Sequence, residues 1–600
     1  MTPAARARAA SRRAAPGAGR GAPTTLPVNG RPRYARWRAA TLAGVYVLMG
    51  LHIAHWRIAG GTLAPLELNE VMYTLELGIV TAGFLFMAAV VIGTAIFGRF
   101  FCSWGCHILA LEDLCAWLLE RVGIRPKPVR SRVLLFVPPA AMFYMFIWPQ
   151  VRRLWEGHPL PSLHLRTDAE GWASFATSDF WRNLPSIEIA LLTFAVCGFL
   201  IVYVLGSRAF CTYGCPYGVI FRLADGVAPG RIIAAGDCSQ CGACTAACGS
   251  QVRVHEELTH YGTIVNPACL KDLDCVAACP NGSVRYGLAR PPLLRSWLRT
   301  RVLRRRFDFS ILEEALMAAV FVVSLLALRG LYNAVPFLLT LGLGAIMAYL
   351  AVLAHRLVSA ADVRFNRLQL KRAGRTAPAG AAVLALAAAA AIFLAHSGFI
   401  RYHEHFGHRA ARALERADDA SAADIRAAIA HLELARRWGL VAPRPLRERL
   451  GVLHARLGAR LVDEGQPAAG AAHLRWACAL HPGQPRAQYN LGVALAALGN
   501  YAEALMALER AAALDPADAD VQNNLGFLRH ARGELVPASA HLRRALELAP
   551  DHAAAHFNLG RVLLQLGGPR DEPQRLLERA AALDERYAAV SRELLGPPEK

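Results

Sequence analysis

Charge is scarce in this 600-residue chain: only 18% of residues are charged, against 54% that are hydrophobic. Acid is scarcer still, with 45 Asp and Glu beside 66 Lys and Arg and a formal charge of +21. At a mean hydropathy of +0.29, this poverty of charge excludes a wholly soluble or disordered chain. Cysteine is sparse too, 14 in all, which excludes a disulfide scaffold. A nucleic-acid-binding signature is missing, because the basic patches border apolar stretches. A cleaved leader is not expected, since Arg12 and Arg13 are not followed closely by an apolar run.

What is present first is a set of apolar stretches long enough to cross a bilayer, near 39–55, 77–97, 133–148, 187–205, 311–328, 335–354 and 379–400. Lys and Arg crowd alternate connections. Residues 1–38 hold nine Arg and no acid; Arg99, Arg121, Arg125, Lys127, Arg130 and Arg132 follow the second stretch. Arg299, Arg301, Arg304, Arg305 and Arg306 follow the fourth, and Arg356, Arg364, Arg367, Lys371, Arg372 and Arg375 the sixth. The positive-inside rule then predicts a cytoplasmic amino terminus and puts everything beyond Ile400 outside.

The cysteines are clustered. Cys238, Cys241, Cys244 and Cys248 form C-x2-C-x2-C-x3-C, the ferredoxin run in which three thiolates ligate one iron–sulfur cubane and the fourth ligates another. The period returns as Cys269, Asp272, Cys275 and Cys279 before Pro280, with Asp272 in the slot of the second cysteine. Exchange of fourth ligands predicts one cluster on Cys238, Cys241, Cys244 and Cys279. The second falls to Cys248, Cys269 and Cys275, with Asp272 or a water at its fourth corner. Structural zinc fits seven cysteines in a duplicated period badly. A carboxylate is a harder ligand than thiolate, so the Asp272 corner is expected to be labile and the centre to occur as [3Fe-4S] as well as [4Fe-4S].

A second duplication lies at the inside ends of the second and fourth apolar stretches. Arg99-Phe100-Phe101-Cys102-Ser103-Trp104-Gly105-Cys106-His107 matches Arg208-Ala209-Phe210-Cys211-Thr212-Tyr213-Gly214-Cys215-Pro216. Cysteines four apart share a helical face, so each pair could meet on a metal or oxidise to a disulfide. A lengthened haem c attachment site at Cys102–His107 is disfavoured by the inside location. Cys115, Cys197 and Cys478 read as packing residues. His52, His55, Glu76 and Glu188, near the outer ends of three stretches, form a candidate quinol-binding group.

The thiol pairs, the preceding spans and the two-cluster segment together resemble the membrane polyferredoxin family of NapH-, NosR- and CcoG-like proteins, over roughly residues 40–290. Cys211–Cys215–Pro216 satisfies the family's C-x3-C-P phrase, whereas Cys106 is followed by His107. The resemblance implies a membrane electron carrier, and for one branch a cupric reductase. It makes Cys102, Cys106, Cys211 and Cys215 candidates for a redox-active thiol or metal site.

Beyond residue 450 the chain repeats every 34 residues, seen in Leu457-Gly458, Leu491-Gly492, Leu525-Gly526 and Leu559-Gly560 and in Pro482, Pro516 and Pro550. That is the tetratricopeptide period, whose helix pairs stack into a solenoid with a concave groove for a protein partner. No nucleophile triad or phosphate loop stands out in it.

The expected fold is mainly α. About seven membrane spans carry an inserted bacterial-type two-cluster ferredoxin module (α+β), followed by an α-solenoid. The boundaries are 1–38, a basic tail; 39–206, four spans; 207–230, the second thiol pair; 231–290, the ferredoxin module; 291–400, three spans; and 401–600, the repeat domain. The expected function is electron transfer in a bacterial inner membrane, with clusters inside, repeats in the periplasm, and a quinone or cytoplasmic donor feeding a periplasmic partner. A copper-reducing assembly factor and a non-redox scaffold with structural clusters are the alternatives.

Overall fold

The computed structural model describes residues 34–66, 70–124, 126, 128–168, 173–181, 186–236, 238–250, 252–293, 307–416, 421–567 and 569–595. Residues 1–33, Arg125, Lys127 and the run Arg299, Arg301, Arg304, Arg305, Arg306 lie outside them. The described chain is mainly helical and divides into two compact units, residues 1–315 with 365–367, and 316–364 with 368–600.

Among the described residues, six helices are long and apolar enough to cross a membrane: Tyr34–Ala59, Leu134–Trp155, Ile187–Leu205, Ile311–Leu328, Phe337–Ser359 and Pro378–Glu415. The expected second span, 77–97, is shortened at its start. A helix over Glu70–Leu77 stops at Gly78, whose φ is +78°, and a Cβ there would lie 2.1 Å from the Ser162 carbonyl oxygen. The chain restarts behind Thr81, whose hydroxyl accepts the Phe84 N–H, as a 16-residue helix Ala82–Phe97. That helix rises about 24 Å. The third span reaches beyond Trp148 to Trp155 despite Pro138 and Pro139, which sit near its amino end where few N–H groups have helical partners. The last helix runs 15 residues past Ile400. The basic tail is also shorter than expected: helix begins at Tyr34, and Arg38 is buried rather than solvated.

In the first unit, antiparallel strands Gly230–Ala234 and Val284–Leu288 pair with Ile232 opposite Tyr286. Between them come two four-residue helices, Ala243–Ala246 and Asp274–Ala277, and the helix Val254–Tyr261. Ile232, Val252, Val254, Leu258, Ile264 and Val284 close a small core that includes Cys244 and Cys275. So small a core buries little apolar area, and most of the domain's remaining cohesion must come from ligands and polar contacts.

The second unit is built from consecutive helix pairs, each packed on its neighbours in sequence. The repeated glycine has a steric cause. A Cβ on Gly458, Gly492, Gly526 or Gly560 would lie 2.6, 2.6, 2.5 or 2.8 Å from the Cγ of Leu474, Leu508, Leu542 or Leu577 on the partner helix. Only glycine lets the two backbones approach that closely.

Candidate functional site

The ferredoxin-like loops are duplicates in backbone as well as in sequence. Gln240 and Gly242 flank Cys241 with φ of +53° and +76°, and Lys271 and Leu273 flank Asp272 with +58° and +64°. Left-handed backbone at a leucine costs about 1–2 kcal/mol. The second loop therefore keeps the shape of the first even where its cysteine is gone.

Cys238, Cys241, Cys244 and Cys279 line one cavity, together with His255 and Pro280. Three come from the first loop and Cys279 arrives from the second. Cys248, Cys269, Cys275 and Asp272 form the other neighbourhood, in which burial and then the Asp272 charge push the Cys248 thiol up to about 12. Cys269 and Cys275 are raised by burial as well. Without a metal these thiols hold their protons at neutral pH, and a cationic centre is what would displace them. Among the described residues no group of three or more His, Cys, Asp or Glu converges on a single ion. A cubane offers a separate iron to each of four thiolates, so the donors fit a cluster better than one zinc or copper.

Asp272 is held firmly by the surrounding protein. It is 6% exposed and its Oδ2 is paired with Arg208 Nη1, while Oδ1 accepts the Asp274 N–H at 3.2 Å. Burial alone would raise its carboxyl, but the adjacent guanidinium more than offsets that and holds it below the ordinary carboxylate range. Arg208 also faces Asp113 at 3.6 Å and Asp274 at 3.7 Å, and Arg38 joins Asp113 at 3.1 Å to Asp274 at 2.8 Å. Nearby, Asp225 pairs with Arg231 at 2.7 Å and Lys271 at 2.9 Å, all three fully buried. These ion pairs tie the amino end of the first helix, both thiol-bearing loops and the Asp272 loop into one body.

The sequence motif already displayed Arg99 and Arg208, each three residues before a cysteine, and Arg99 counted toward the orientation; their burial is a tertiary property. Glu112, Asp113, Asp225 and Lys271 carried no sequence signal. Glu112 Oε1 accepts the Phe210 N–H at 2.8 Å, and burial raises its carboxyl to about 7. Ser103 Oγ donates to the Leu270 carbonyl at 2.7 Å and Trp104 Nε1 to that of Lys271 at 3.2 Å. The first thiol loop is thereby bonded directly to the backbone of the Asp272 loop.

The loop thiols are one another's charged neighbours: Cys106 beside Cys102 and Cys215, and Cys211 beside Cys106 and Cys215. Arg99 Nη2 lies 3.8 Å from Cys102 Sγ, and burial pushes Cys106 up to about 12 and Cys215 to about 11. Cys211 rises through burial and the neighbouring Glu112. The outer His/Glu group is different: His52 Nε2 bonds the Leu63 carbonyl at 2.9 Å and His55 Nδ1 the Thr62 hydroxyl at 3.0 Å, both in the segment just after their own helix. Cys115 and Cys197 are buried and Cys478 is half-buried.

Comparison with known proteins gives two family matches. A 4Fe-4S binding domain model matches residues 79–125 and 189–232, and a tetratricopeptide repeat model matches 450–520 and 537–589. YccM of Escherichia coli (strain K12), assigned by its name to electron transport, is 23% identical over 295 residues, covering 43% of this chain and 73% of that protein. The methylamine utilization ferredoxin-type protein MauN of Methylorubrum extorquens is 27% identical over 217 residues, 35% of this chain and 68% of its own. A crystal structure of MamA aligns over 28% of this chain and 92% of its own at 23% identity and a TM-score of 0.24. With the loop geometry and these relatives together, the chain is a polyferredoxin-like protein, related to ferredoxin-type electron-transport proteins and carrying a tetratricopeptide repeat domain.

Proposed function

We propose that this chain is a membrane-bound iron–sulfur electron-transfer protein, with Cys238, Cys241, Cys244 and Cys279 holding one [4Fe-4S] cluster and Cys248, Cys269 and Cys275 with Asp272 holding a second. The observation that carries the reading is the duplicated left-handed loop conformation, which is retained around Asp272 at the expense of strain in Leu273. Such clusters exchange single electrons with little reorganisation, at potentials set by charge, hydrogen bonding and burial. The protein's part is to exclude water from the thiols, to fix the loops with buried ion pairs, and to surround the second set with Arg208 and Lys271.

Two partly buried ion pairs support a cytoplasmic amino terminus and seven crossings. Arg38, at the start of the first helix, meets Asp113 and Asp274 beyond the helix Ala82–Phe97. For the chain to leave and return to one side between these residues, Ala82–Phe97 must cross back, although it is shorter than a typical ~30 Å hydrocarbon core. The positive-inside rule then makes the cluster side cytoplasmic. Three further crossings carry the repeat domain to the periplasmic face of a bacterial inner membrane, where its groove would bind a redox or assembly partner. A quinone or a cytoplasmic carrier would be the electron donor.

The test is a redox titration followed by EPR, with iron and acid-labile sulfide counted on anaerobically purified full-length protein. Two reducible cluster signals are expected; iron-free, colourless protein would overturn the reading.

A further inference from the structure

The two copies of the thiol-loop phrase treat their arginines differently. Arg208 in the second copy is met by Asp272, Asp113 and Asp274. Arg99, its counterpart in the first, is 2% exposed, and among the described residues no carboxylate pairs with its guanidinium. Nη1 donates to the Pro267 carbonyl at 2.9 Å, Nη2 approaches Cys102 Sγ at 3.8 Å, and Nε has no hydrogen-bond partner. Asp225, the nearby acid, takes only the Arg99 backbone N–H and is already shared by Arg231 and Lys271. One carboxylate shared among three buried cations leaves Arg99 under-compensated, so a further anionic group is expected at this point.

The atoms around it are sulfur. Gly218 marks the place: a Cβ built there would lie 3.9 Å from Arg99 Nη2 and 3.8 Å from the Cβ of Cys215. The guanidinium therefore lies against Cys102 of one copy and in the neighbourhood of Cys215 of the other. The Glu112 bond to Phe210 N–H fixes the second copy, with Cys211, against the helix that follows Cys106. As in the ferredoxin loops, these thiols do not close on a single ion.

We infer that Cys102, Cys106, Cys211 and Cys215 hold a third iron–sulfur cubane, one site shared by the two copies, with Arg99 as its buried counter-charge. The 4Fe-4S binding domain match contains all four of these cysteines and stops at residue 232, before Cys238. Each thiol passes its proton to solvent as it ligates iron. The site abuts the Asp272 loop through Ser103 and Trp104. It gives the proposed electron-transfer reading a centre at the membrane edge and rests on that reading for its purpose alone.

Iron and acid-labile sulfide are measured on full-length protein prepared anaerobically, for wild type and for Cys106→Ser/Cys215→Ser. The double variant is expected to lose about four irons per chain while keeping the ferredoxin-loop EPR signals. Arg99→Gln is expected to keep its iron but shift one EPR species to a more negative potential, with Arg99→Lys restoring most of the shift. Should the double variant misfold, alkylation of wild-type protein decides: the four loop thiols should resist labelling until iron is chelated. Iron unchanged in a folded double variant, or labelling indifferent to chelation, would overturn the third site and leave the electron-transfer reading standing. Wild-type protein without any reducible signal would bring down both.

Discussion

The loop around Cys241 and the loop around Asp272 share a backbone and differ in what surrounds the second position. Cys241 is exposed. Asp272 is buried and bound to an arginine 64 residues away in sequence. One copy leaves its second residue at an exposed cavity; the other has been built into the seam between the ferredoxin-like domain and the thiol loops. The exchange of Cys for Asp thus gives the second loop an anchor that a thiol could not supply, because a buried carboxylate is tolerated where a cation and hydrogen bonds compensate it.

The largest effect is expected from removing that anchor. Arg208→Ala leaves Asp272 buried and uncompensated and should destabilise the first unit by about 3–5 kcal/mol, read as a lowered melting midpoint in detergent. Gln240→Ala in the Cys241 loop should change it by less than about 1 kcal/mol, since no buried charge depends on Gln240. Equal effects would end the contrast between the loops.

Exchanging the second residues comes next. Asp272→Cys should raise bound iron by about one per chain if the carboxylate is held off the fourth corner, and Cys241→Asp should lower it by a similar amount. Iron and sulfide counts with EPR decide; no gain in the first variant would mean that Asp272 already serves as a ligand.

A pH dependence should follow from Glu112, which seats the second thiol loop. Its carboxyl is raised from 4.5 to about 7, so its contribution is fully present below pH 4.5 and is lost as pH rises through 7. Asp272 acts in the opposite sense, since its depressed carboxyl is ionised throughout that window and loses its contribution only in stronger acid. Glu112→Gln should flatten the melting midpoint between pH about 4.5 and 7; an unchanged slope would refute the assignment.

The smallest effect concerns the shared backbone. Gly242→Ala at φ +76° should cost about 1 kcal/mol, comparable with what Leu273 already bears in the other loop.

Much of this was legible in the cysteine spacing, the duplicated phrase and the 34-residue period. The interruption at Gly78 was not, because a run of apolar side chains reads the same whether or not another segment's carbonyl presses on its backbone. Arg99 and Arg208 stood in the motif with no sign of their burial, since nothing local distinguishes a cation facing water from one enclosed by the fold.

The sequence by itself determined which residues can ligate, where helices pair and how often they repeat, because those depend on stereochemistry within a few residues. Tertiary structure alone decided that Asp272 serves Arg208, that Arg38 meets Asp274 across 236 positions, and that Arg99 is left facing thiols. Charges are fixed by what lies within a few ångströms after the chain has returned, and desolvation, which sets their worth, exists only once the chain has closed around them.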